Sequence, residues 1–223
     1  MAKLSALVSV VARTLGLPEK TVAIYARHLR EARLITTGGR GLGGADMTSP
    51  DCTNLLIAVA ASNQAKDAAV TIANYGTLPA GRDREPEQWV LEQFRVSALI
   101  DLPARHSFGQ AIEALITSAQ DGSLQDAILA ARPQIEGYTI PLYPSIRVQI
   151  RGPQAMASVS IWGQDWSEDL TYVTPYPFDM SASDEEIEEW GGEQRRKYGG
   201  GDLRQIREFT EKTILVLGEL LRN

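Results

Sequence analysis

The sequence predicts an α+β protein in which helices come first, a small antiparallel sheet follows and a helix ends the chain. Apolar residues recur at helical spacing through most of the first 130 residues, Ser145–Arg151 alternates strictly between polar and apolar residues, and residues 202–221 again follow a helical pattern. With 223 residues, of which 43% are hydrophobic, the chain is long enough for one or two domains with a sizeable core.

Two helices are predicted at the start of the chain. The first runs over residues 5–15 and ends at Gly16, and the second runs over residues 18–32. Pro18 suits the first turn of a helix, because the N–H that proline lacks would be unpaired there anyway. The second helix then has one apolar face, formed by Val22, Tyr25, Ala26 and Leu29. A β-prone run at 34–37, a glycine-rich tip at 38–44 and a return strand at 47–48 predict a hairpin after it.

Residues 49–221 contain further helix and strand patterns. Ser49 and Pro50 are a helix start signal, an N-cap serine with proline at the first helical position. The other predicted helices cover 49–62, 65–75, 107–120, 123–131 and 202–221. Strands are predicted at 94–99, at 145–151 and 157–161 as a hairpin, and at 170–173. The acidic and then glycine-rich segment 181–202 is predicted to be a solvated loop.

Charge is distributed unevenly along the chain. Residues 1–45 carry seven Lys or Arg and two Asp or Glu, a net charge of +5, whereas the remaining residues carry 15 and 26, a net charge of −11. Opposite signs in two parts of one chain indicate a basic region with a polyanionic partner and an acidic body. The first apolar residues do not form an export signal, because serines interrupt them and no cleavage site follows, so a cytoplasmic protein is expected.

The motif that carries the functional interpretation lies in the basic region. The run "LGLP" at 15–18 is followed by "TV" at 21–22, by "LREA" and "LI" within 29–35, and then by the glycine-tipped hairpin. This segment, about residues 4–49, resembles the winged helix-turn-helix superfamily of bacterial DNA-binding proteins. The resemblance implies a recognition helix at 18–32, a wing at 36–48 and a DNA-binding domain over 1–62. The α+β body, 63–223, would then be an oligomerisation or effector domain.

The residues of the second helix suit that role. A recognition helix needs an apolar face for its partner helix and a polar face for the major groove, where side chains contact base edges and phosphates. Arg40, at the glycine-rich tip, is placed to reach a phosphate or the minor groove. The predicted DNA-contacting residues are Lys20, Thr21, Ile24, Arg27, His28, Arg30 and Arg40.

The segment departs from the superfamily pattern at two points. Arg33 stands where such proteins often have glycine, and the first of the usual three helices is not evident before Lys3. The helix at 49–62 would fill that gap in the core. A weaker likeness extends further: "LREARLITTGGRGLGGADMT" followed by "DCTNLLIAV" looks like uncharacterised proteins of bacterial prophages.

No pattern of residues supports an enzyme, a cofactor or a metal site. Cys52 opens an apolar helix and is expected to be buried, and two histidines, His28 and His106, are too few for a histidine cluster. His106 is expected at the surface or at the start of a helix. The glycines at 39, 41 and 44 match a dinucleotide fingerprint only in spacing, because no helix can start before Ser49. No apolar run is long enough to span a membrane.

The sequence therefore favours a non-enzymatic DNA-binding protein, a transcriptional or phage-linked regulator that binds double-stranded DNA as a homo-oligomer, with a dimer preferred. The apolar end of the last helix, 214–221, is the candidate dimer contact. Two alternatives stay open. One is a phage packaging or assembly component, and the other is a module that binds a protein or small molecule near Trp162, Trp166, Tyr172 and Tyr176.

Overall fold

A computed structural model describes residues 2–38, 44–81, 96–131, 146–163, 167–174, 182–198 and 204–222, and the backbone at 134–135 and 138–139. Within these ranges the helices are α1 Leu4–Leu15, α2 Glu19–Glu31, α3 Ser49–Ala61, α4 Ala68–Thr71, α5 Ser97–Ile100, α6 Phe108–Asp121, α7 Ser123–Ala131, α8 Asp184–Tyr198 and α9 Glu211–Arg222. A 3₁₀ turn, Ala65–Asp67, precedes α4, and a π-helical turn, Ile72–Gly76, continues it. None of these helices combines the length and hydrophobicity that a bilayer crossing requires.

In the described residues, a pair of two-residue strands joins β1 Gln134–Ile135 to β2 Tyr138–Thr139. The main antiparallel sheet contains β3 Ile146–Gly152, β4 Met156–Trp162, β5 Ser167–Val173 and β6 Gln205–Thr210, in the order β5-β4-β3-β6. The register places Val148 opposite both Val159 and Phe209, so that apolar side chains from three strands share one face. Alternate residues of β3 are buried, and the other face of the sheet is partly exposed.

Helices cover the buried face of the sheet and join it to the start of the chain. Helix α3 contacts β3 and β6, α6 contacts α3 and α9, and α9 also contacts α1. The α6–α9 contact is so close that a Cβ atom at Gly218 would collide with the Cβ atom of Ala119. Residues on both sides of position 62 belong to one cluster of buried side chains. The division into domains 1–62 and 63–223 stays a prediction.

The α+β class, the helical first half and the 145–161 hairpin are confirmed. Helix α3 begins at Ser49, with Thr48 rather than Ser49 as its N-cap. The strand predicted at 94–99 is wrong where it can be compared, because Ser97–Ile100 is a helical turn. In α9, Ile214 and Leu217 are fully buried inside this chain, whereas Leu215, Val216, Leu220 and Leu221 are half-buried. The dimer contact at 214–221 stays a prediction.

Two predictions near the end of the chain are wrong for local reasons. The acidic segment predicted as a loop contains α8, whose start is capped by Ser183: its hydroxyl oxygen accepts from the Glu186 N–H at 3.3 Å, and Glu186 Oε2 accepts from the Ser183 N–H at 2.8 Å. Acidic residues in the first turn and basic residues in the last turn also favour the helix through its dipole. The helix predicted at 202–221 is divided, because residues 205–210 pair with β3 as strand β6.

His106 directly precedes the N-cap of α6, as one of its two expected positions had it, but it is buried and not at the surface. It is hydrogen-bonded on both sides of its ring. Its Nδ1 lies 2.9 Å from the Pro103 carbonyl oxygen, which can only accept, so Nδ1 carries the proton. Its Nε2 then accepts from the Tyr172 hydroxyl at 2.9 Å. Burial lowers the pKa of His106, against a smaller opposing effect of the hydrogen bond to Pro103. The neutral ring therefore links the turn before α6 to β5.

The lowered pKa of His106 predicts a loss of stability in mild acid. Below the ordinary histidine pKa of about 6.5, the unfolded chain binds a proton that the native ring resists, so the free energy of unfolding falls as pH falls. In His106→Gln this acid-dependent loss should be smaller. Urea unfolding at about pH 7.5 and 5.5 measures it. Equal losses in the two proteins would show that His106 does not titrate on unfolding.

Candidate nucleic-acid interface

Helix α2 buries one face and leaves the opposite face open to solvent. Its buried residues are the four predicted from the sequence: Val22, Tyr25, Ala26 and Leu29. Positions 20, 24, 27 and 31 recur along the opposite side, and all four residues there are exposed. Thr21 and His28 are half-buried on one flank of this side, whereas Arg30 is exposed on the other. We call residues 20, 24, 27 and 31 the outward face of α2.

The orientation of α2 is fixed by its packing and by the turn before it. Gly16 ends α1 with a φ of 67°, a left-handed conformation that favours glycine. The N–H of Leu17 donates to the Ala12 carbonyl at 2.9 Å, which closes the turn between the helices. Helix α2 then packs against α1 on one side and α3 on the other. Its outward face is therefore directed away from the core.

The end of α2 has a geometry that glycine would suit better. Arg33 has a φ of 59°, the one left-handed value of a non-glycine residue in the described ranges. The N–H of Arg33 donates to the Arg30 carbonyl at 3.0 Å, and the N–H of Leu34 donates to the Leu29 carbonyl at 2.8 Å. This pair of bonds is a Schellman motif, whose left-handed position usually holds glycine. The chain thus has an exposed arginine at a position where arginine is strained.

The carboxylate of Glu31 neutralises part of the outward face. Arg27 Nε donates to Glu31 Oε1 at 2.9 Å, and His28 Nδ1 lies 3.6 Å from Glu31 Oε2. The hydrogen bond from Arg27 is the main cause of a lowered pKa at Glu31, so this group is charged at neutral pH. Two of the predicted DNA-contacting residues therefore have an acidic partner.

The other cations of the first 38 residues differ in their availability. Lys3 donates to Asp46 Oδ1 and to the Gly44 carbonyl, both at 2.6 Å, which holds it against the chain. In contrast, exposed basic side chains without an acidic partner in the part of the chain that the structure describes are Arg13, Lys20, Arg30 and Arg33. The sequence prediction did not include the exposed cations Arg13 and Arg33. Their positions near the ends of α1 and α2, outside the apolar pattern of each helix, were the signal that they would be exposed.

A groove of about 560 Å³ runs between α1 and α2 beside the outward face. Its apolar lining comes from both helices, with Leu4 and Val8 on α1 and Ala23 on α2. Lys20, Arg27 and Arg30 also line it. The structure therefore brings together three of the predicted contact residues along one edge of α2.

The two ends of the predicted wing, residues 36–38 and 44–48, are not joined as a β-hairpin. No strand ladder joins residues 36–38 to residues 44–48, so the strand prediction at 34–37 and 47–48 is wrong. Instead, the buried Asp51 carboxylate accepts from the Thr36 N–H at 2.7 Å and from the Thr48 N–H at 2.8 Å. Asp46 forms an isolated bridge with Lys3. Arg40 lies outside the described residues.

The residues considered for other chemistry are engaged in the core or with neighbours. Burial, and secondarily the nearby Asp51, raises the pKa of the Cys52 thiol to about 12, which opposes a nucleophilic thiolate. Tyr172 is fully buried beside His106 and Phe108. The Arg147 guanidinium lies 4.9 Å from the centre of the Trp162 ring. Trp166 and Tyr176 lie outside the described residues. The described residues contain no group of side chains that could hold a metal ion.

No protein-family model, curated protein or solved structure matches this chain. The likeness to winged helix-turn-helix proteins therefore stays an interpretation of the sequence.

The strain at Arg33 gives a direct prediction. Replacing it by glycine should raise the free energy of unfolding by about 1 kcal/mol, because glycine adopts a left-handed φ without the clash of a Cβ atom. Ala32→Gly is the matched control: Ala32 has a φ of −82°, so glycine there should lower stability. Chemical denaturation measures both. A loss of stability in Arg33→Gly would contradict the strained geometry.

Proposed function

We propose that this protein binds double-stranded DNA by placing the outward face of α2 in the major groove, and that it is a non-enzymatic transcriptional or phage-linked regulator. The observation that carries the proposal is the outward face itself: an exposed helix side with Lys20 and Arg27 on it and Arg30 beside it. A helix with one buried apolar face and one exposed basic face can pack against the rest of the protein and still offer hydrogen-bond donors to base edges and phosphates.

Charge and strain within the first 38 residues also support the proposal. A phosphate backbone attracts lysine and arginine, and Arg13, Lys20, Arg30 and Arg33 are exposed cations with no acidic partner among the residues that the structure describes. Arginine occupies position 33, although glycine would make the protein more stable there because φ is left-handed. A strained residue on an exposed surface is a reason to infer a function for it. The acidic remainder of the chain would limit non-specific binding.

Homodimers would allow two copies of α2 to contact paired half-sites on the DNA. This part of the proposal rests on the geometry of such sites, in which equivalent contacts repeat at intervals of about one helical turn.

Removing single cations that are predicted to contact DNA should weaken DNA binding. Lys20→Ala, Arg27→Ala, Arg30→Ala and Arg40→Ala are compared with the unchanged protein on fragments of the source genome, by retardation in gels at several salt concentrations. The affinity falls as salt rises, and each lost phosphate contact should make the slope of log affinity against log salt less steep by about 1.

Arg105→Ala is the matched control for charge, because Arg105 is an exposed arginine in the turn before α6. It should leave both affinity and salt slope unchanged. If none of the four variants weakens binding relative to this control, the proposed surface is wrong.

The Arg27–Glu31 ion pair predicts a variant that binds more tightly. In Glu31→Gln the guanidinium of Arg27 is released and a repulsive carboxylate is removed, so affinity for DNA at low salt should rise. Most of this gain should disappear when Glu31→Gln is made in the Arg27→Ala background, as a double-mutant cycle measures. An unchanged or lower affinity in Glu31→Gln would show that the Glu31 carboxylate does not oppose DNA binding by the outward face.

A further inference from the structure

Ile24 is a large apolar side chain at the centre of the outward face of α2. It is 50% exposed, although the other apolar residues at helical spacing on α2 are buried. Helix formation does not explain it, because isoleucine has a lower helix propensity than the lysine, arginine or glutamate found at the neighbouring exposed positions. The position therefore presents half of an isoleucine side chain to solvent between exposed cations.

The surroundings of Ile24 are polar and rich in hydrogen-bond donors. Lys20 lies one turn before it on the helix, and Arg27 and His28 lie one turn after it. In the major groove, lysine and arginine donate to guanine, while the methyl group at C5 of thymine is the apolar feature that a base pair presents. An aliphatic side chain among donors matches an edge that carries a methyl group among acceptors.

We propose that Ile24 packs against a thymine methyl group and makes this protein select an A·T pair opposite the middle of α2. The proposal deepens the proposed function and rests on it, because it requires α2 to enter the major groove. In this proposal the lysine and arginine donors of the outward face position the protein on the DNA and provide affinity. Ile24 alone selects the base pair at the centre of the contact.

Deoxyuridine provides the probe, because it pairs as thymidine does and lacks only the C5 methyl group. The duplex that binds the unchanged protein most tightly is first selected from short random-sequence DNA and then synthesised with thymidine or with deoxyuridine throughout. The thymidine duplex should bind more tightly, by about fourfold for each methyl group that the protein buries.

Ile24→Ala should remove this preference, with nearly equal affinities for the two duplexes, and Ile24→Val should retain part of it. Leu17→Ala is the matched control, because Leu17 is another exposed apolar residue, at 38%, in the turn before α2. It should keep the full preference. Because Ile24 is exposed, the unfolding free energy of Ile24→Ala should stay close to that of the unchanged protein.

Four results would overturn the proposal. Equal binding of both duplexes by the unchanged protein, or a thymidine preference that survives in Ile24→Ala, would remove Ile24 from base selection while leaving DNA binding intact. A change of oligomeric state in Ile24→Ala, measured by sedimentation, would assign the side chain to a protein contact. Absence of salt-sensitive binding to any duplex would overturn the proposed function as well.

Discussion

Burial of one face of α2 is the constraint on which the candidate interface depends. Val22 and Leu29 are completely buried and Tyr25 and Ala26 nearly so, which fixes the rotation of the helix about its axis. A fully buried valine or leucine side chain contributes about 1.5–3 kcal/mol, more than an exposed ion pair typically contributes. The rotation of α2, and with it the identity of the outward residues, is therefore determined by hydrophobic packing and not by charge.

Electrostatics then decides what the outward face can do. Arg27 and His28 share the Glu31 carboxylate, whereas Lys20 and Arg30 have no acidic partner in the ranges that the structure describes. Exposed pairs of this kind are weak and salt-sensitive, so a phosphate group can replace Glu31 as the partner of Arg27 at little cost. The groove along α1 and α2 adds apolar surface beside these donors.

The sequence predicted α1, α2 and the β3–β4 hairpin well because local periodicity determines them. It failed at β6, where Phe209 is the one fully apolar side chain that the strand buries and Ile206 is exposed, so that no alternation marks the strand. Helix α8 had a readable signal in the Ser183–Glu186 cap, which the density of acidic residues obscured. The partnership of Arg27 with Glu31 was also readable, since four residues separate them on a helix.

The measurement that tests the central claim most directly is lysine acetylation of the whole protein with and without saturating duplex DNA, read by mass spectrometry. Lys20 and Lys212 are both exposed, one on the outward face of α2 and the other at the start of α9. If α2 enters the major groove, DNA should protect Lys20 and leave Lys212 as reactive as before. Equal reactivity of Lys20 in the two conditions, under salt at which DNA is bound, would contradict the account.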